Sequence, residues 1–274
     1  MSRIEKALEE AVRQRGPVRG SGALKTPVHP ESGAERPAFV PANPVLVTLT
    51  DPDSPVSEEY RKLKGMITKL TKRDGFRNLL MVTSSVSGEG KSVTCLNLAV
   101  ILAEEYNHTV LLIDADLRRP SLHGYLGVPQ HAGLSDCLRG GLDLKTAIVR
   151  TGIPKLSLLT SGGKTANPVE LLSSPRMREL LREVKGRYRD RYVIIDTPPL
   201  LPYAETHALA AQTDGVVFVV KEGTTSRKSI RDAIDSMKEA SLLGVVFNDV
   251  SAGSLKGRYD YYYNNPYIRQ GTGA

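Results

Sequence analysis

Long apolar runs are missing from this 274-residue chain. The longest, such as 216–220, fall far short of the roughly 20 residues that a membrane-spanning helix needs, and no secretory leader opens the sequence. The chain is therefore expected to be soluble by itself. Cysteine is scarce as well: Cys95 and Cys137 are the only two, and both sit among apolar neighbours. Without metal-type or redox-type spacing they read as small buried hydrophobes in a reducing compartment, which excludes a disulfide framework. The five histidines, at 29, 108, 123, 131 and 207, share no spacing that would build a metal site. A net charge of +7 suits an anionic partner such as a nucleotide or an acidic lipid. Much of that charge lies in Arg176, Arg178, Arg182, Lys185, Arg187, Arg189 and Arg191, a stretch without the aromatic interleaving of a nucleic-acid surface. Met177, Leu180, Leu181 and Val184 interleave there instead, so the basic side chains read as the solvated face of an amphipathic helix, and no nucleic-acid partner is expected.

What the chain does have is concentrated in 84–92, Ser-Ser-Val-Ser-Gly-Glu-Gly-Lys-Ser. An apolar run at 79–82 precedes it, and a helix-like segment follows in which Leu96, Ala99, Val100 and Ala103 recur at helical spacing. A glycine-rich turn between a buried strand and a helix aims several backbone N–H groups and the positive end of the helix dipole at one point, where phosphate oxygens fit. Ser87, Gly88, Glu89, Gly90, Lys91, Ser92 and Val93 are the expected nucleotide-binding residues, with Lys91 reaching the β- and γ-phosphates and the Ser92 hydroxyl placed for Mg²⁺. The full GxxxxGK[ST] pattern asks for glycine at 85, where this chain has Ser85.

Carboxylates close two later strands. The β-branched and apolar run 109–113 ends in Asp114-Ala115-Asp116, and 192–195 ends in Asp196-Thr197-Pro198-Pro199. At the carboxyl end of a parallel strand such groups lie where the glycine-rich loop also opens, within reach of a nucleotide's metal. Further strands at 215–220 and 242–247 flank a helix at 226–240. The alternation predicts an α/β fold, a doubly wound and mostly parallel sheet. Helix signals are read at 134–138 and 144–149, an apolar run at 156–159, and a surface loop at 161–168.

The expected layout is an amphipathic helix at 1–15, a flexible linker at 16–44, the nucleotide-binding domain at 45–250 and a tail at 251–274. Ser54-Pro55 starts a helix with Tyr60, Leu63, Met66, Ile67 and Leu70 as its buried stripe. Glu58, Arg61 and Lys64 share another face, suited either to ion pairing with a second copy or to solvent. In the tail, Tyr259, Tyr261, Tyr262, Tyr263 and Tyr267 stand in a Gly, Ser, Asn and Asp background. Three readings are open for it: a phosphoacceptor array, a partner-binding tail, or a segment that packs back on the domain.

The loop at 84–92, Asp114-Ala115-Asp116-Leu117-Arg118, Asp196-Thr197-Pro198-Pro199 and the terminal tyrosines together resemble the bacterial tyrosine kinases of capsule and exopolysaccharide export. The resemblance covers about 45–270. It implies a P-loop NTPase fold of the deviant Walker type, ATP as substrate and Mg²⁺ as cofactor. By the same resemblance Lys91, Asp114 and Asp116 are catalytic, Ser92, Asp116 and Asp196 hold the metal, and Asn248 meets the adenine. Asp114 would accept the proton of a tail tyrosine arriving from a neighbouring subunit, with the split of base and metal-ligand roles between Asp114 and Asp116 left open. Arg118 would steady the tail or pair with Asp116. Glu58, Arg61 and Lys64 approximate the family's ExxRxxR self-association helix. Without a fused membrane span the chain resembles the split form, a cytoplasmic kinase recruited to the inner face of the membrane by a separate transmembrane co-polymerase adaptor and reversed by a cognate tyrosine phosphatase. The helix at 1–15 resembles that of autokinases from exosortase-linked systems. The rival is a partitioning or positioning ATPase; such proteins carry a second lysine early in the loop, where this chain has Val86.

Overall fold

The computed structural model describes residues 43–72, 75–187 and 190–251. The expected helix at 1–15, almost all of the linker at 16–44 and the tyrosines of the tail lie outside these residues.

Seven strands form one sheet: β1 (Leu79–Ser84), β2 (Thr109–Asp114), β3 (Ile148–Arg150), β4 (Leu156–Leu159), β5 (Arg191–Asp196), β6 (Gly215–Lys221) and β7 (Leu242–Asn248). Their order is β3-β4-β2-β5-β1-β6-β7, and every pairing is parallel except that of β3 with β4. The central strands are buried almost throughout and apolar in their middles because both faces of the sheet are covered. Alternate residues feed two cores. Met81, Ile113, Ile195 and Phe218 face one, and Val82, Leu112, Ile194 and Val219 face the other.

The described helical segments are α1 (Val47–Thr50), α2 (Pro55–Thr71), α3 (Lys91–Ala103), α4 (Leu122–Tyr125), α5 (Leu134–Leu138), α6 (Leu144–Ala147), α7 (Pro168–Leu172), α8 (Pro175–Arg187), α9 (Ala204–Ala210) and α10 (Arg227–Asp235). Helix α3 leaves the glycine-rich loop and is buried from Thr94 to Ala103, between the sheet on one side and α1 and α2 on the other. One buried amide ties these layers together. Asn97 Oδ1 accepts from Thr48 N at 3.1 Å and Thr48 Oγ1 at 3.0 Å, while its Nδ2 donates to the Val45 and Val93 carbonyls at 2.8 and 2.9 Å. A buried amide so fully paired fixes where the loop's helix starts and carries no desolvation debt.

Helix α2 begins where expected, with Ser54 Oγ accepting from Ser57 N at 3.2 Å and Pro55 in the first turn. Its buried face is narrower than the expected stripe: Tyr60 and Ile67 are buried, Leu63 and Leu70 half-buried, and Met66 is 56% exposed. The helix packs mainly against α3 and α1, so one flank of the stripe faces solvent. The basic face of α8 is as expected, with Met177, Leu180, Leu181 and Val184 buried and Arg178 and Arg182 exposed.

Two stretches differ from their sequence reading. Residues 144–149 are a single helical turn followed by the start of edge strand β3, since Val149 is drawn into pairing with Leu158. Residues 161–168 begin buried, with Ser161 only 2% exposed. Asp136 Oδ2 accepts from Gly133 N at 2.9 Å and Gly163 N at 3.0 Å, which clasps the loop to the start of α5. Among the described residues no helix is long and apolar enough to cross a membrane.

Candidate functional site

The sheet order places β5 between β1 and β2, so the connections from β1 and from β5 depart in opposite directions and leave a crevice at their carboxyl ends. The loop after β1 lines it. Gly88 and Gly90 adopt φ of 86° and 89°, which glycine reaches without steric cost. Gly90 is doubly constrained, because a Cβ there would run into the side-chain amide of Asn248. Asn248 Nδ2 donates to the Glu89 carbonyl at 3.0 Å, so the residue expected at the adenine also braces the loop. Ser85 lies outside the left-handed region and is fully buried, so this position has no conformational need for glycine.

Glu89, read from the sequence as a nucleotide contact, turns its side chain inward. It is fully buried, with Oε2 accepting from Val86 N at 2.9 Å and Oε1 from Thr225 Oγ1 at 2.8 Å and Lys221 N at 3.4 Å. The carboxylate straps the loop to the end of β6. Ser87 and Gly88 are exposed at the tip, and Val93 is half-buried in the first turn of α3.

Opposite the loop stand the strand-end carboxylates. Lys91 Nζ lies 3.0 Å from Asp116 Oδ2 and 3.8 Å from Asp196 Oδ1, and Ser92 Oγ donates to Asp196 Oδ2 at 2.6 Å. Asp114 Oδ2 accepts from the Ser121 and Leu122 N–H groups, both at 3.1 Å. The crevice thus brings together Lys91, Ser92, Asp114, Asp116 and Asp196. Burial pushes the Asp114 carboxyl up to about 8, with Asp196 beside it adding to the rise and the Leu122 and Ser121 amides opposing it. Burial also lifts Asp196, to about 6, against the pull of Lys91 and the Ser92 hydroxyl. For Lys91, burial works to lower the ammonium, but Asp196 and Asp116 outweigh it and the result is a rise.

The donor set fits a hard cation. Asp114 Oδ1 and Asp196 Oδ1 are buried without a hydrogen-bond partner, and Ser92 supplies a hydroxyl beside Asp196. Among the described residues no group of three His, Cys, Asp or Glu side chains forms a metal cage of its own. The Ser92 hydroxyl and the aspartate oxygens are hard donors of the kind that would suit Mg²⁺, which keeps part of its water shell and shares the rest of its coordination with phosphate oxygens.

A family model described as an AAA domain matches residues 78–242. The tyrosine-protein kinase YwqD of Bacillus subtilis (strain 168) is 36% identical over 219 residues, covering 79% of this chain and 90% of that protein. The chain belongs to the bacterial tyrosine-protein kinases. The crystal structure of the chimerical protein CapA2B2 matches with a TM-score of 0.70 and 31% identity, over 76% of this chain and 90% of that one. The kinase domain of the Escherichia coli tyrosine kinase ETK matches with a TM-score of 0.69 and 28% identity, over 75% and 80%. Longer relatives extend well beyond the match. The succinoglycan biosynthesis transport protein ExoP of Rhizobium meliloti (strain 1021) is 29% identical over 245 residues, and this chain spans 31% of it. The septum site-determining protein MinD of Pyrococcus horikoshii OT3, complexed with Mg-ADP, shares the fold alone, with a TM-score of 0.54, 22% identity, and coverage of 65% of this chain and 75% of that one.

Within this kinase family member, one of the two readings of Arg118 is corrected. Arg118 pairs with Glu205, Nε to Oε1 at 2.6 Å, and not with Asp116. Lys64 bonds Glu105 at 2.8 Å, so it is partly withdrawn from the face that carries Glu58 and Arg61. Those two pair with each other at 3.0 Å, and Arg61 also donates to the Pro52 carbonyl at 2.7 Å. Glu205 and Tyr203 were not singled out from the sequence; the available signal was an acidic residue in the first turn of a helix that follows a strand-end aspartate.

Proposed function

We propose that the chain is an ATP-dependent protein-tyrosine autokinase that modifies the C-terminal tyrosines of a neighbouring copy. The observation that carries this reading is the convergence of Lys91 with Asp116 and Asp196 at 3.0 and 3.8 Å, in a family whose relatives are named tyrosine-protein kinases. The amides of the loop at 84–92 and the Lys91 ammonium receive the triphosphate of ATP. Ser92, Asp116 and Asp196 would hold Mg²⁺, which when bound would neutralise charge on the phosphates. Asp114 Oδ1, without a donor of its own, takes the proton of the entering phenol. The phenolic oxygen bonds the γ-phosphorus as the bond to the β,γ-bridging oxygen breaks, and ADP leaves. A phenol is ordinarily a weak acid near pH 10, so a carboxylate within reach must take its proton concurrently with phosphoryl transfer.

The acceptors in this reading are Tyr259, Tyr261, Tyr262, Tyr263 and Tyr267. Each phosphate adds about −1.5 to −2 charge, so a modified tail is repelled by the site carboxylates and the assembly built through Glu58, Arg61 and Lys64 loosens. The name of ExoP ties the family to polysaccharide biosynthesis. This chain would act there from the inner face of the membrane, with a transmembrane co-polymerase adaptor as activator and a tyrosine phosphatase as its reset.

A partitioning ATPase is the competing function, supported by the MinD-like fold alone; Val86 occupies the position where those proteins carry their second lysine. Incubation of the full chain with Mg²⁺ and labelled ATP separates the two. Label on tyrosine in the parental protein, reduced roughly 10²- to 10³-fold in Lys91→Met, is the expected result. Release of label as phosphate with none on tyrosine sinks the kinase reading.

A further inference from the structure

The turn after β2 carries Arg118 two residues beyond Asp116, the carboxylate that meets Lys91. Asp116 Oδ2 meets Lys91, while its Oδ1 accepts from the Arg119 N–H at 3.0 Å and closes the turn. From that turn Arg118 Nε reaches Glu205 Oε1 at 2.6 Å, and its guanidinium carbon stands 4.5 Å from the centre of the Tyr203 ring. Glu205 is fully buried, and its Oε2 has no hydrogen-bond partner. A buried carboxylate with one oxygen unsatisfied is costly, and here a single arginine offsets that cost.

The frame around this pair is rigid with respect to the phosphate loop. Thr206 Oγ1 donates to the Pro198 carbonyl at 3.1 Å, and His207 Nε2 lies 3.0 Å from the Leu200 carbonyl oxygen. The Leu200 and Leu201 N–H groups in turn donate to the carbonyls of Ser84 and Ser85, at 2.8 and 3.2 Å. Glu205 is therefore bolted to the turn that leaves Asp196 and, through it, to the strand end from which the loop departs. Arg118 is held through Nε and by the ring, and among the described residues its two Nη groups make no hydrogen bond. Its side chain is 35% exposed. An arginine fixed by one edge and stacked on one face still has a planar fork to offer, and forked N–H pairs match phosphoryl oxygens bidentately.

We propose that Glu205, together with Tyr203, is a positioning residue that fixes Arg118 as the group binding the phosphoryl oxygens on the acceptor tyrosine as it is modified. The inference rests on the kinase reading and adds to it the acceptor side of the same site. Lys91 and the loop amides serve the phosphates as they arrive on the nucleotide; Arg118 serves the transferred phosphoryl group on the acceptor. A counter-ion kept only for folding would need neither the free fork nor a frame tied to the loop.

The test uses the full chain as enzyme and a synthetic peptide of residues 256–269 as acceptor in trans, with phosphopeptide followed by mass. Glu205→Gln removes the anchor. Arg118→Lys keeps a cation able to pair with Glu205 but lacks the fork. Both are expected to lower kcat/KM for the peptide about 10- to 100-fold, the worth of a charge-assisted hydrogen bond, while the Kd for ATP stays within about twofold. Peptide phosphorylation by Arg118→Lys and Glu205→Gln at the parental kcat/KM overturns the inference and leaves the kinase reading intact. If Glu205→Gln unfolds, the Arg118→Ala, Glu205→Gln double variant, which buries no unpaired charge, decides. Restored thermal stability with kcat/KM still reduced supports the proposal, and restored kcat/KM overturns it. A parental chain that phosphorylates neither peptide nor itself removes the kinase reading and this inference together.

Discussion

Asp114 and Asp196 are register partners at the ends of adjacent parallel strands, so two fully buried carboxyl groups stand side by side. Their raised positions, about 8 and about 6, compare with about 3.9 for an aspartate in an unfolded chain. Between those limits the folded protein holds more protons than the unfolded one, and stability falls as pH rises. The stabilisation is complete below about pH 4 and is lost as pH climbs through 6 and then 8. Thermal unfolding of the unliganded chain followed from pH 5 to 8.5 should give a falling midpoint, and Mg²⁺ with a non-hydrolysable ATP analogue should shrink the fall. A midpoint that rises across that range contradicts the assignment.

Asp114→Asn should separate stability from activity. The amide oxygen can still accept from Ser121 and Leu122, and the like-charge partner of Asp196 is gone. Above pH 8 the variant should unfold several degrees higher than the parental protein, while tyrosine labelling drops roughly 10²- to 10⁴-fold, the usual worth of a general base. A variant less stable than its parent at pH 8.5 would show that the carboxylate is needed for folding and that its burial is not a strained feature of the site.

At Gly90 two separate costs meet, and substitution can divide them. Gly90→Ala must hold alanine at φ 89°, roughly 1–2 kcal/mol against an L residue, and must also displace the Asn248 amide. Adding Asn248→Ala should relieve the second cost and leave the first. The single variant should therefore bind ATP weakly and unfold early, and the double variant should recover part of the loss in a denaturant titration. Full recovery would mean that the left-handed backbone is not required.

Glu89 tests whether the strap under the loop is as necessary as the groups that face the nucleotide. In Glu89→Gln one acceptor oxygen becomes an NH₂ facing either the Val86 N–H or the N–H of Lys221 and the Thr225 hydroxyl, and an unsatisfied buried donor costs roughly 1–3 kcal/mol. Calorimetry should show weaker ATP binding although no atom of that side chain reaches the crevice. Unchanged affinity would mean that the loop holds its shape without the strap.

The sheet and the centre of the site were legible because both are written locally. Each central strand carries an apolar run, and Asp114, Asp116 and Asp196 fall at or just past strand ends by simple counting. Ser84 to Ser92 carried its chemistry in its own order of residues. What escaped depends on partners far away in sequence. Glu89 resembles a solvent-facing loop residue until Thr225 and Lys221 arrive beneath it. Arg118 has two acidic neighbours within four positions, yet its partner is Glu205 on helix α9. Ser161 is buried where Gln130 bonds its hydroxyl and the Ser135 N–H its carbonyl, which a run of small polar residues cannot announce. Met66 was misplaced for a related reason: helical spacing gives the direction of an apolar stripe, but only packing sets its width.

The identity of the acceptor follows from which tyrosines a second molecule could reach. Tyr60 is 9% exposed and Tyr192 is fully buried, its hydroxyl 2.8 Å from Thr71 Oγ1, so neither can enter another crevice without unfolding. Tyr106 is different, at 92% exposure on the turn after α3. Replacing Tyr259, Tyr261, Tyr262, Tyr263 and Tyr267 by phenylalanine should remove most of the label and leave ATP binding unchanged, because phenylalanine keeps the ring and lacks only the nucleophilic oxygen. Mixing this variant with Lys91→Met makes the direction of transfer visible. The variant keeps an intact site but has no tail acceptor, and Lys91→Met keeps its tail but has a disabled site, so label on the Lys91→Met chain requires transfer between molecules. Label that persists on the phenylalanine variant and maps to Tyr106 would move the acceptor from the tail to the body of the domain.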